Sequence, residues 1–170
     1  QKGLCGSLNQ RLVKKALGDL QLSSVEGNKH YLCWTYGDKM RSLLKSLGIA
    51  SVAHNTATGI ENGLFDVFFD AVSQFRAGTI GAVYVCYHDY VSLMQQEPRV
   101  VQILPIPVEE RTWEQKGGWP IYECEPNFEE VVDFLLTQYV RAQFYQAYLE
   151  NHTSENAARM VAMKTATDNA

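Results

Sequence analysis

The residues of this sequence that could perform chemistry begin with a Gly-rich turn, Gly3-Leu4-Cys5-Gly6-Ser7, which leads into a helical pattern. Backbone amides at the start of a helix can bind phosphate, so the turn is a candidate nucleotide site. It has neither the Lys-Ser/Thr of a P-loop nor the third Gly of a dinucleotide fingerprint. We therefore interpret it as a tight structural turn and expect no bound cofactor.

The four histidines are candidates for metal ligands and for catalytic bases. They show no ligand spacing, and they stand at positions 30, 54, 88 and 152. The nearest approach to a ligand pair is Cys86 with His88, which would share one face of a strand inside a sheet core. The chain also has no Gly-x-Ser-x-Gly nucleophile elbow. We expect no metal site and no catalytic residue.

The four cysteines lie far apart in the sequence, at Cys5, Cys33, Cys86 and Cys124. Three of them fall in apolar, strand-like runs, where a thiol behaves as a small buried hydrophobe. We interpret all four as free thiols of a protein kept in a reducing compartment.

The elements that would position these residues alternate between strands and helices. Apolar stripes at helical spacing follow Ser7, Asp38, which is expected to cap its helix, and Asn62. The predicted strands are His30 to Tyr36, Ile49 to Ala53, Thr79 to Tyr87, Val100 to Ile106 and Ile121 to Glu125. This order predicts an α/β fold, a three-layer, Rossmann-like, mostly parallel sheet with flanking helices. The nearly continuous apolar run of Thr79 to Tyr87 is expected to be its central strand.

The last part of the chain has a different character. Asn127 and Glu130 form a capping-box pattern, and neither Pro nor Gly occurs again after Pro126. A single helix from there to the end would be about 60 Å long at about 1.5 Å per residue. Its first half, to Leu149, carries enough apolar bulk to cover the sheet. From Ser154 it has only Ala, Val and Met among polar residues, which predicts a close helical partner outside this chain.

Composition excludes several classes of protein. The 170 residues are 46% apolar and 20% charged, which is typical of a globular domain, and the net charge of -4 gives no basic surface for nucleic acid. The apolar runs are too short to cross about 30 Å of hydrocarbon, so no direct membrane insertion is expected. The N-terminus does not resemble a secretory signal.

Two end segments resemble a known family. Gly3 to Asn9 is similar to the Gly-Leu-Cys-Gly-Gly-Leu-Asn signature of the gamma subunit of the rotary F-type ATP synthase. Ser154 to Ala170 resembles the start of the long C-terminal helix of that family. Gln102 to Pro105 and Glu125-Pro126 follow in family order between them. Ser7 replaces the usual second Gly and Asn156 the usual Gln.

The resemblance implies a rotor subunit of the central stalk with no catalytic activity of its own. Residues 1–126 would form an α/β foot, and residues 127–170 a helix that covers the sheet and then starts a coiled coil, truncated here so that the chain is a fragment. The implied partners are the alpha and beta subunits, the epsilon subunit and the ring of membrane c subunits. The implied location is peripheral, on the cytoplasmic face of the bacterial inner membrane or the equivalent organelle face.

The resemblance also implies which residues bind partners. Glu155 and Arg159 would contact the beta subunit, although their spacing is equally that of an ordinary helical ion pair. Tyr122, Cys124 and Glu125 would face the membrane ring and the epsilon subunit. The alternative that the residues leave open is a flavodoxin-like or receiver-like module that binds a small ligand or nucleotide near the turn at Gly3 to Ser7.

Overall fold

The structure is a computed structural model. It describes residues 5–23, 31–49, 52–53, 60–107 and 123–169. These residues contain four helices and four strands. The elements are α1 (Leu8–Ser23), β1 (Trp34–Thr35), α2 (Asp38–Ser46), β2 (Val52–Ala53), α3 (Ile60–Arg76), β3 (Val83–Tyr90), β4 (Gln96–Leu104) and α4 (Phe128–Asp168).

The strands pair in two separate two-stranded units. β1 and β2 are parallel, with Trp34 opposite Val52, whereas β3 and β4 form an antiparallel hairpin with Val83 opposite Leu104. The mixed order of helices and strands and the long C-terminal helix are thus present, but the predicted Rossmann-like, mostly parallel sheet is not confirmed in the described residues. The reason lies in the connection: five residues separate β3 from β4, and a parallel pair needs a crossover of a dozen or more.

The strand boundaries also differ from the prediction. The strand expected to be central, Thr79 to Tyr87, begins later and pairs along its whole length with β4. β4 begins at Gln96, four residues before the predicted Val100, and it includes Pro98. The last predicted strand ran from Ile121 to Glu125. Ile121 and Tyr122 lie outside the described residues, and residues 123–125 are not in a strand.

Helices pack on both faces of the β3–β4 hairpin. Successive residues of a strand point to opposite faces, and Val85 belongs to a cluster with α3 and α4. His88, on the other face, is close enough to Arg11 of α1 for the guanidinium to affect its titration. The buried centre of the apolar cluster consists of Phe68, Ile103, Leu104 and Val140. The layered arrangement is thus present, although it is built on a hairpin.

Most helix boundaries follow the predicted signals, although α3 begins at Ile60, two residues before the polar stretch was predicted to end. Asn127 caps α4: its side chain accepts a hydrogen bond from the Glu130 amide at 2.9 Å and donates one to the Glu130 carboxylate at 2.7 Å. Gly48 and Gly78 follow α2 and α3 with φ of 74° and 72°, values that favour glycine. Asp38 was wrongly predicted as a cap, because Gly37 occupies that position and Asp38 pairs with Arg41.

The long helix α4 is attached to the body along one narrow line. It runs for 41 residues without interruption, and Val140, Ala147 and Ser154, spaced seven apart, are buried. A row of stacked rings, Tyr145, Tyr148 and His152, continues from Phe65 of α3 along the helix. The first half of α4 covers less of the sheet than predicted, because several of its large apolar side chains are exposed. These are Phe128, Phe134, Leu135, Leu136 and Tyr139.

Candidate functional site

The candidate site is the place where the start of α1, the tip of the β3–β4 hairpin and the middle of α4 meet. A groove of about 230 Å³ opens there, and its lining includes Cys5, Gly6 and Ser7 of the turn, Met94 of the hairpin, and Ala158 and Ala162 of α4. The turn brings the chain close to α4 because Gly6 adopts a φ of 59°. The Ser7 carbonyl then accepts the hydrogen bond of the Arg11 amide at 3.0 Å, which starts α1.

The turn is arranged unfavourably for phosphate. Cys5 is buried, and burial followed by the nearby Glu155 carboxylate raises the pKa of its thiol. An acidic group beside the first turn of α1 opposes an anionic ligand at that helix start. The Gly-rich turn therefore packs α1 against α4, and the nucleotide-binding alternative loses its main support.

Glu155 and Arg159 form an ion pair within α4, as their spacing predicts. The Arg159 guanidinium donates to the Glu155 carboxylate at 2.5 Å, and Asn156 accepts a further bond from Arg159 at 2.8 Å. The Glu155 side chain is 7% exposed and that of Arg159 is 20% exposed. The pair lies on α4 next to Ala158, which lines the groove, and its carboxylate is more deeply buried than its guanidinium.

Of the other predicted partner residues, Cys124 and Glu125 lie just before the start of α4, away from the groove. Cys124 is half-buried and Glu125 is exposed, and a cis peptide bond joins Glu125 to Pro126. Tyr122 lies outside the described residues. The structure does not bring Cys124 and Glu125 together with Glu155 and Arg159, so the described predicted residues lie on two separate surfaces.

The surface of α4 changes after Ala157. Ala157 is buried, whereas every described residue beyond it is at least partly exposed, with Met160 at 57% and Met163 at 48%. The helix continues to Asp168 and does not fold back on the body. About three turns of helix with Val, Ala and Met side chains are thus available for contact with another chain.

The described part of the chain offers little that could perform catalysis. A second opening of about 390 Å³ lies beside Phe65, Gln138 and Tyr145, with the Arg141 guanidinium 4.7 Å from the centre of the Phe65 ring. In the described part of the chain, no three His, Cys, Asp or Glu side chains lie close enough together to hold a metal ion. All four cysteines are free, as predicted, but only Cys5 is buried.

Sequence reasoning missed the polar cluster that attaches α4 to β3. Asn151 Oδ1 accepts a hydrogen bond from the His88 amide at 3.1 Å, and Ser154 Oγ donates to the His88 carbonyl at 3.1 Å. Both backbone groups of His88 therefore point away from β4, toward the edge of β3 that pairs with no other strand in the described residues. No local signal in the sequence indicates this cluster, because it depends on how α4 docks against the unpaired edge of β3.

Comparison with known proteins gives consistent results over the whole chain. The model of a family described as ATP synthase matches residues 1–170. The ATP synthase gamma chain of Glaesserella parasuis serovar 5 is 39% identical over 173 residues and that of Polaromonas sp. 41% over 179 residues. Each alignment covers 99% of this chain and 59% of the relative. The chain therefore spans about three fifths of the length of these relatives.

Two solved structures share the fold. The central stalk and c-ring structure of the Tetrahymena thermophila mitochondrial ATP synthase aligns with a TM-score of 0.68 at 22% identity, covering 98% of this chain and 72% of that chain. The rotor of the Euglena gracilis mitochondrial ATP synthase aligns with a TM-score of 0.58 at 20% identity, covering 99% and 64%.

Proposed function

The chain belongs to the ATP synthase gamma-chain family, and from this premise we propose that it is a rotor part of the central stalk. In that role it couples rotation of the membrane ring to ATP synthesis in the beta subunits. The observation that carries the proposal is α4, which is fixed to the body as far as Ala157 and then extends with its Met side chains exposed. A shaft transmits torque only if one end is attached rigidly and the other is free to contact a partner.

The roles that we propose for the two parts of the chain follow the change in burial along α4. Residues 1–126 are the α/β foot, and residues 127–170 cover one side of it before starting a coiled coil. The small side chains Ala158 and Ala162, together with Val161, leave room for a second helix at close distance. The relatives are longer than this chain, which is consistent with a partner helix encoded outside it.

The partners of this rotor are the alpha and beta subunits at the free end of α4 and the c ring and epsilon subunit at the foot. Arg159 has the more accessible side chain of its ion pair, so we assign the contact with beta to its guanidinium, held in place by Glu155. At the other end, Tyr122, Cys124 and Glu125 are assigned to the ring and epsilon. The exposure of Glu125 supports this contact.

The proposed rotor has no catalytic activity of its own and is a peripheral protein of the membrane-bound complex. It would lie on the cytoplasmic face of the bacterial inner membrane or the equivalent organelle face. Among the described residues, no helix is both long enough and apolar enough to cross a bilayer.

Site-directed cross-linking in an assembled complex tests the proposal. The variant Met163→Cys places a thiol on the exposed end of α4, whereas Gln146→Cys places one on the exposed side of the attached part. With a short bifunctional reagent, we expect M163C to cross-link to a second helix or to a subunit of the head, and Q146C to give much less product. Equal yields from the two positions would contradict a shaft that begins after Ala157.

A titration separates the rotor from the small-ligand alternative. Calorimetry of the intact chain with ADP, FMN and NAD should show no binding at micromolar concentrations, because Glu155 stands beside the helix start that would hold a phosphate. Micromolar affinity for any of the three would favour the ligand-binding module. Binding that disappears in Cys5→Ser would place that ligand at the Gly-rich turn.

A further inference from the structure

We propose that the helix that pairs with α4 is seated in the groove between the Gly-rich turn, the tip of the β3–β4 hairpin and α4, and that Arg11 binds a carboxylate on that helix. The inference rests on the proposed rotor function and adds to it, because the coiled coil then begins inside the body, in contact with the hairpin. The occupant to which we commit is an amphipathic helix with an apolar face and an acidic residue beside that face.

Small side chains of α4 line one side of the groove. They are Ala158, Val161 and Ala162, all half-buried, and their spacing of three and four residues places them on one face of the helix. Side chains this short allow the axis of a second helix to approach to about 8 Å, the lower end of usual helix–helix distances. This side of the groove therefore suits close helix packing.

The hairpin tip, residues 91–95, lines a second side with exposed apolar side chains. Leu93 is 42% exposed, and Met94 is 77% exposed, the highest value among the large apolar side chains of the described residues. A methionine side chain is unbranched and adapts to the surface that it contacts. Together with α4, the tip forms an apolar surface of the kind that marks a contact with another chain or segment.

The backbone of the hairpin tip favours a helix over a strand as the occupant. The Val91 and Ser92 amides donate to the Gln95 carbonyl, and the Gln95 amide donates to the Ser92 carbonyl. The buried Gln96 side chain donates to the carbonyls of Ser92 and Leu93 at 3.1 and 2.8 Å. An added strand needs free backbone groups, whereas a helix satisfies its own and binds through side chains. The tip thus offers the contacts that a helix uses.

Arg11 gives the groove a positive charge on the side of α1. Its side chain is exposed and belongs to the lining. Within the residues that the structure describes, no carboxylate forms an ion pair with its guanidinium, and Glu155, the acidic residue beside the turn, is paired with Arg159. A guanidinium can bind a carboxylate through two parallel hydrogen bonds, which fixes the orientation of the segment that carries the carboxylate. Arg11 therefore selects an acidic residue on the seated helix.

The relatives contain enough further sequence to supply this helix. The alignments cover 59% of each of the two gamma chains, so about two fifths of each relative lies outside the matched region. The groove is also continuous with the exposed end of α4, because Ala162 of its lining is followed directly by the exposed Met163. A helix that packs along that end of α4 is thus placed to enter the groove.

Thiol labelling in the assembled complex tests the seat. Met94→Cys places a thiol in the groove, whereas Gln95→Cys places one on the same exposed tip but outside the lining. Because the seated helix covers the groove, we expect M94C to be alkylated about tenfold more slowly than Q95C, as quantified by peptide mass spectrometry. With a short bifunctional reagent, M94C should cross-link to the same helix that M163C captures.

The outcomes separate this proposal from the rotor function. If M163C captures a helix while M94C and Q95C are alkylated equally fast, the groove is not the seat, and the rotor function stands. If M94C cross-links to a subunit of the head, the occupant is not the partner helix, and the proposal is overturned. If M163C captures no partner, the rotor function fails, and the present proposal fails with it.

A carboxylate-specific reagent tests the role of Arg11. Arg11→Lys keeps the positive charge and supplies an amine, which a carbodiimide joins to a contacting carboxylate as an amide, with loss of water. Lys14, exposed on the same helix and outside the groove lining, is the internal control. We expect R11K to cross-link to an Asp or Glu of the seated helix and Lys14 to give no such product. Equal yields at the two positions, or no product from R11K, would overturn the assignment of Arg11.

Discussion

The hydroxyl of Ser154 on α4 donates to the backbone carbonyl of His88 on β3 at 3.1 Å, and both residues are completely buried. The two positions are 66 residues apart in the sequence. This bond satisfies a carbonyl on the edge of β3 that faces away from β4, where the described residues provide no partner strand. Ser154 also belongs to the row of buried residues by which α4 is attached to the body. The other two members of this row are Val140 and Ala147.

The variant Ser154→Ala should destabilise the fold through this carbonyl. Removal of the hydroxyl leaves a buried acceptor without a donor, at a cost of about 1 to 3 kcal/mol in the free energy of unfolding. Urea denaturation measures the loss. The control is Thr153→Ala, an exposed position one residue away, which should change stability by no more than about 0.5 kcal/mol. Equal stability of the two variants would show that the bond is unimportant.

The apolar cluster between α3 and α4 gives a second prediction. Phe68 is 4% exposed, and its ring centre lies 5.3 Å from that of Phe144, whereas the adjacent Phe69 is 60% exposed. Phe68→Ala should lower the free energy of unfolding by about 3 to 5 kcal/mol because it removes a buried ring and leaves a cavity. Phe69→Ala removes the same atoms from the surface and should cost less than about 1 kcal/mol. Thermal unfolding of both proteins would contradict this assignment if their midpoints were equally lowered.

The local elements of this fold were largely predictable. Asn127 followed by Glu130 marked the start of α4, and Gly48 and Gly78 marked the ends of α2 and α3, because each depends only on neighbouring backbone geometry. The apolar stripe of α3 likewise identified its buried face, on which Leu64 and Phe68 lie. These signals are local, and the sequence around each position contains the whole cause.

The pairing of strands was not predictable from the same signals. Residues 91–95 turn β3 back into β4 without Gly or Asn-Gly, using instead the bonds of the Ser92 backbone and hydroxyl with the Gln95 backbone. A hydrophobic run such as Thr79 to Tyr87 has the same composition in a parallel or an antiparallel sheet. The cluster of His88, Asn151 and Ser154 depends on that pairing and on α4 docking, so no local pattern indicates it.

The cap of α4 gives a third prediction. Asn127→Ala removes both hydrogen bonds to Glu130 and should lower the free energy of unfolding by about 0.5 to 2 kcal/mol. Asn127→Asp retains an acceptor for the Glu130 amide, so most of this stability should remain. Circular dichroism during urea denaturation compares the two. If N127D were as unstable as N127A, the amide hydrogen bond would not be the source of the stabilisation.

Thiol reactivity should distinguish Cys5 from Cys124. Cys5 is 6% exposed, and burial and the Glu155 carboxylate raise the pKa of its thiol, whereas Cys124 is half-buried at the start of α4. The thiolate is the reactive form, so a raised pKa and burial both slow alkylation at neutral pH. With iodoacetamide at pH 7.5, Cys5 should react about tenfold more slowly than Cys124, as measured by peptide mass spectrometry. In 8 M urea the difference should disappear, because unfolding separates Cys5 from α4. Comparable rates in the native protein would mean that the start of α1 does not remain packed against Glu155.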